Sequence, residues 1–148
     1  MQFLKLHWKE IVLLIAGLTF WMFRSNSAGE SDDAFCERIL ATGKNAEARA
    51  WALEAKGTAH LRTIHELDNA ESLAIIEKLY TLGAERVMAC DIDTEPGVGE
   101  TTDVLIVTLP NAKEARKRLL SYERSHAGRR GFGGVKDVGQ RYMFIWKS

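Results

Sequence analysis

Residues 104–109, Val-Leu-Ile-Val-Thr-Leu, are apolar at five of six consecutive positions. A strand turns successive side chains to opposite faces, so such a run needs cover on both. Residues 142–146, Tyr-Met-Phe-Ile-Trp, repeat the demand. Leu105, Val107 and Leu109 would take one side of the first strand and Val104 and Ile106 the other, with Met143 and Ile145 set against Tyr142, Phe144 and Trp146 on the second. The chain must therefore bury a sheet between two layers, or leave one apolar face for self-association.

The neighbouring segments supply helices. Asp68-Asn69-Ala70-Glu71 has the form of a capping box, in which the first carboxylate accepts an amide hydrogen bond and the fourth side chain reaches back. It predicts a helix with Leu73, Ile76, Leu79 and Tyr80 inward, closed by Leu82-Gly83. Asn111 to Glu114 opens a second helix, lined by Ala112, Ala115, Leu119 and Tyr122 and ended by Gly128. Short strands are expected around Leu61–Ile64 and in Glu-Arg-Val-Met-Ala-Cys-Asp-Ile-Asp, residues 85–93. Thr-Glu-Pro-Gly-Val-Gly-Glu-Thr, residues 94–101, reads as a loop by its proline and glycines.

The order from about residue 58 is then strand, helix, strand, strand, helix, strand. That predicts an α+β class and a ferredoxin-like βαββαβ sheet with two helices on one face. Residues 33–56 read as two helical pieces broken at Gly43. Asn45 would cap the second, with Ala46, Ala50 and Leu53 along one face. These pieces, with Trp51, are the nearest cover for the remaining sheet face. The expected division is 1–24 as an anchor, 25–57 as tether and short helices, and 58–148 as the α+β domain.

Residues 11–23, Ile-Val-Leu-Leu-Ile-Ala-Gly-Leu-Thr-Phe-Trp-Met-Phe, carry no charge; Lys5 and Lys9 precede them and Arg24 follows. As a helix they rise about 20 Å, short of a hydrocarbon core of about 30 Å, but extension back through Leu4 and Trp8 closes the gap. Trp8, Ile11, Leu14, Phe20 and Trp21 would form the membrane anchor, with the two indoles near the interfaces. The alternative is a signal peptide cleaved near Ser25-Asn26-Ser27, against which bulky Trp21-Met22-Phe23 and Arg24 crowd the site. The positive flank leads, which puts the N-terminus in the cytoplasm and the domain outside. There Cys36 and Cys90 could pair; two separate buried thiols is the favoured reading.

Formal net charge is zero, yet it is unevenly spread. Residues 28–112 hold 7 basic and 16 acidic side chains, whereas residues 113–148 hold 10 basic and 3 acidic. The last quarter therefore forms a cationic region on an acidic domain, suited to an anion or an acidic partner.

Within it lies Arg-Arg-Gly-Phe-Gly-Gly-Val-Lys, residues 129–136. The run is close to an RNA-recognition signature, but that signature belongs on the strand before the second helix, and here it follows the helix. Gly134 and Gly139 have phosphate-loop spacing, yet Gln140-Arg141 follows and the segment enters a strand. The stretch reads as a connecting loop in which Arg129, Arg130 and Lys136 are the candidate anion or partner contacts. No nucleic acid is expected as a partner.

Asp91 and Asp93 would share a strand face, with Glu95, Glu100 and Asp103 nearby, but the ligand ladder of a calcium loop is missing. His60, His65 and His126 show no zinc spacing. No catalytic residue, metal or cofactor is assigned. The leading expectation is a membrane-anchored, externally exposed, non-enzymatic module that binds a protein partner or itself. An anion or small-ligand sensor using the basic loop, and a small hydrolase, are the alternatives.

Overall fold

The computed structural model describes residues 31–55, 61–127 and 135–146. They fall in one compact unit that begins at Ser31. Four helices are present among them: α1 (Asp32–Thr42), α2 (Ala48–Glu54), α3 (Asn69–Leu82) and α4 (Lys113–Ala127). Seven strands accompany them: β1 (Ala46–Glu47), β2 (Leu61–Ile64), β3 (Arg86–Cys90), β4 (Asp93–Glu95), β5 (Gly99–Thr102), β6 (Val104–Thr108) and β7 (Tyr142–Trp146). The class is α+β, as the sequence implies.

The backbone of the domain is one long hairpin. Arg86 faces Thr108, Cys90 faces Val104, Asp93 faces Thr101 and Glu95 faces Gly99, a single register from base to tip. It is interrupted at Asp91, whose φ of 53° breaks the strand. The interruption divides it into two sheets, ordered β1-β3-β6-β7 and β2-β5-β4. Asn45 holds the break: its Oδ1 accepts the Asp91 amide at 3.1 Å, and the Lys44 carbonyl accepts the Ile92 amide at 2.9 Å.

The pairing corrects the ferredoxin-like expectation. A split βαβ unit joins parallel strands through its helix. Here β7 lies directly against β6 and antiparallel to it, while β2 runs parallel to β5. The β2–α3–β3 and β6–α4–β7 connections therefore join strands of opposite direction. The reason is the segment read as a loop. Residues 93–95 and 99–102 form β4 and β5, and β5 gives the four-residue β2 a partner away from the larger sheet. Gly99 is required there: its φ is +144°, and a Cβ would meet the Leu61 carbonyl oxygen at 2.0 Å. A glycine that reads locally as a loop residue is thus a close-approach residue inside a sheet.

Both sheet faces are buried, as their composition demands. On one, Leu105, Val107, Met143 and Ile145 pack with Ile76 and Leu79 of α3 and Leu119 and Leu120 of α4. The two long helices thus share a face, as expected. On the other, Val104, Ile106 and Tyr142 pack with Phe35, Cys36 and Ile39 of α1. Helix α1 thus covers the face that the two long helices leave open. Only half of the expected cover is right, because Trp51 and α2 pack with α3 in the cluster of the first face.

Helix α2 also starts later than the pattern suggests. Ala46 and Glu47 pair with β3 instead of entering the helix, and Glu47 becomes the cap, accepting the Ala50 amide at 2.7 Å. That shift turns Ala48, Trp51 and Ala52 inward and leaves Leu53 exposed. Asn45 instead donates to the Ile39 and Leu40 carbonyls at the end of α1. The α3 capping box forms as the sequence predicts, with the Glu71 amide 2.7 Å from Asp68 and the Asp68 amide 3.0 Å from Glu71.

Candidate binding surface

The basic region divides into cations that the fold uses and cations that it leaves facing water. Arg116 belongs to the first kind. Its Nε and Nη2 donate to both Asp137 oxygens at 3.2 and 2.7 Å, and Nη2 also reaches the Gln140 carbonyl at 2.9 Å. A guanidinium fork suits such a bidentate clamp. The hydrogen bonds between them, aided by their opposite charges, lower the Asp137 carboxyl and raise the Arg116 guanidinium. Arg116 therefore secures the approach to β7 and is no free contact.

The rest of that approach is fastened similarly. Buried Glu123 accepts the Val135 amide at 3.0 Å, while Arg124 reaches the Val135 carbonyl at 3.4 Å. Burial pushes the Glu123 carboxyl above its ordinary value, and nearby Asp32 adds to the effect. Asp33 accepts the amides of Arg141 and Tyr142, both at 2.9 Å, and so ties the start of α1 to the start of β7. Lys136 stands exposed in this segment. Arg129 and Arg130 lie outside the described residues, so only one of the three candidate contacts is placed.

The second kind lies along α4. Lys113, Lys117 and Arg118 are exposed on the helix. Between α3 and α4 runs an open groove of about 500 Å³, bordered by Lys78 of α3 and by Lys117, Arg118, Ser121 and Ser125 of α4, with Leu82 and Tyr122 at its apolar part and Glu114 on its rim. Sequence reasoning missed this groove. The basic residues of α4 were visible, but Lys78 lies far away in the chain and meets them only in the folded structure, where Ala115 sits close against Gly83. A Cβ at Gly83 would lie 2.8 Å from the Ala115 Cβ, and its φ of +109° suits glycine.

The acidic residues near the hairpin do not gather into a cation site. Glu100 is a structural hub: Lys44 lies 2.5 Å away, the Trp51 indole donates at 2.8 Å and Arg62 Nε lies at 3.1 Å. The Lys44 contact outweighs burial and holds its carboxyl low. Asp91 and Asp93 do not share a regular face, because the strand breaks between them. Asp103 sits 3.4 Å from His65. Among the described residues no group of three His, Cys, Asp or Glu could hold a metal ion.

Cys36 and Cys90 are free and fully buried in the cluster under α1. Burial raises both thiols, Cys90 to about 12, which makes them poor nucleophiles. His126 stacks on Tyr122 with centroids 4.1 Å apart, while His60 lies outside the described residues. Trp8, Ile11, Leu14, Phe20 and Trp21, the expected anchor, also lie outside them. Among the described residues no helix is long and apolar enough to cross a membrane.

Comparison with protein-family models, curated proteins and solved structures finds no match.

Proposed function

We propose that residues 31–148 are a non-enzymatic interaction module, held at the outer face of a membrane by residues 11–23, that presents a basic surface to a protein partner. The observation that carries the reading is the sorting of charge. Arg49, Arg62 and Arg116 are each paired with a carboxylate of the domain, whereas Lys113, Lys117, Arg118 and Lys136 stand exposed in the C-terminal quarter of the sequence. Exposed like charges repel one another and add nothing to packing, so their concentration favours a recognition role. Anchoring would add to it by confining the module near partners in the same membrane.

The partner is taken to be a protein bearing an acidic surface. The test compares wild type with Arg129→Ala/Arg130→Ala/Lys136→Ala and with Lys113→Ala/Lys117→Ala/Arg118→Ala on an immobilised acidic protein at two salt concentrations. Wild type should bind at low salt and release at high salt, and at least one triple variant should bind less. Equal retention of all three proteins at both salts would dismiss the basic region as a recognition surface. Membrane attachment is tested separately, by resistance of the full chain to carbonate extraction and by protease access to the domain from outside.

A further inference from the structure

We infer that the groove between α3 and α4 is a docking site for an acidic peptide segment of the partner, a reading that rests on the interaction module proposed above and narrows it to one surface. Lys78 on one wall and Lys117 and Arg118 on the other are all exposed, and none forms a salt bridge among the described residues. Glu114 is the one carboxylate at the rim, so the lining is net positive. Half-buried Leu82 and Tyr122 add apolar surface to the lining. Cations from both helices together with apolar side chains are complementary to a peptide that carries both carboxylates and an apolar residue.

The openness of the groove selects the class of occupant. A solvent-exposed charge pair changes an equilibrium by about fivefold at most. A small anion that reaches two or three such cations gains little, and the groove offers it no enclosed cradle. A chain carrying several carboxylates makes these contacts together and adds burial of an apolar side chain on Leu82 and Tyr122. A flat anionic surface meets the exposed cations and gains less from half-buried Leu82 and Tyr122.

The experiment uses the full chain in nanodiscs of neutral lipid and a fluorescent ten-residue peptide of Glu with two central Leu. Anisotropy should show binding that weakens about tenfold or more in Lys117→Glu/Arg118→Glu and about fivefold in Lys78→Glu on the opposite wall, with Lys136→Ala losing less than either. All four substituted side chains are exposed, and matching circular dichroism would establish that the fold is intact. Wild-type affinity in both groove variants overturns the proposal. If peptide binding is lost in Lys136→Ala and kept in the groove variants, the groove is wrong while the interaction module stands. Absence of peptide binding to any form at low salt removes both. Inorganic phosphate and glycerophosphoserine are run as competitors: full displacement of the peptide by either at micromolar concentration would assign the groove to a small anion or a lipid headgroup and overturn the peptide reading.

Discussion

Replacing Phe35 by Ala should uncover the second face of the sheet. Phe35 is 1% exposed, and its ring centroid lies 4.7 Å from that of Phe144 on β7. It packs with Val104 and Ile106 of the central strand, so removal leaves a cavity at the interface of α1 with the sheet. A buried aromatic truncated to Ala costs about 3–5 kcal/mol, the sum of lost transfer energy and the cavity. A domain of this size has about 5–15 kcal/mol in all, so the variant would sit near the threshold of folding. Phe35→Leu refills most of the volume and should cost about 1–2 kcal/mol. Leu53→Ala provides the contrast. The helical pattern places Leu53 on the buried face, but it is 45% exposed, so its loss should cost about 1 kcal/mol or less. Urea denaturation followed by tryptophan fluorescence would give the three values, with dye binding reporting exposed apolar surface. A Phe35→Ala cost no larger than that of Leu53→Ala would refute α1 as the second layer.

Three further outcomes are expected. Gly99→Ala should detach β2 from β5 and cost more than about 2 kcal/mol, because φ is positive and the new Cβ meets the Leu61 carbonyl; amide exchange at residues 61–64 would show it, and retained protection there would contradict the pairing. Glu123→Gln keeps an acceptor for the Val135 amide and removes a charge that burial disfavours. A carboxyl raised in the folded state contributes fully below its unfolded pKa and loses that contribution as pH rises through the folded value. The variant should therefore match wild type near pH 4 and become the more stable one as pH rises past the ordinary glutamate range, about 4.3, in denaturation midpoints; the opposite trend would mean that the carboxylate is stabilised where it lies. Arg116→Ala should cost about 1–2 kcal/mol by releasing Asp137 and the Gln140 carbonyl, with faster exchange at residues 138–140; unchanged exchange would show that the segment is held without the clamp.

The sequence by itself determined whatever depends on neighbours along the chain. The box at Asp68–Glu71, the glycine stop at Gly83, the break at Gly43 and the alternating faces of residues 104–109 and 142–146 all follow from local hydrogen bonding and side-chain periodicity, and they stand in the structure. The cationic bias of the last quarter was legible too, since charge needs no fold to be counted. Tertiary structure alone decided what depends on residues that meet across long separations. Strand direction was one such matter, because an order of elements does not say which edges pair. The pairing turned on β5, whose glycine reads locally as loop and is admitted to the sheet only by the approach of Leu61. The start of α2 was another, because the β-bridge of Ala46 and Glu47 to β3 overrode a helical pattern and rotated its buried face. The sorting of the cations belongs with these. Arg116 and Lys117 are adjacent in sequence, yet the helix turns the first into a clamp on Asp137 and the second toward Lys78, a residue 39 positions away in the chain.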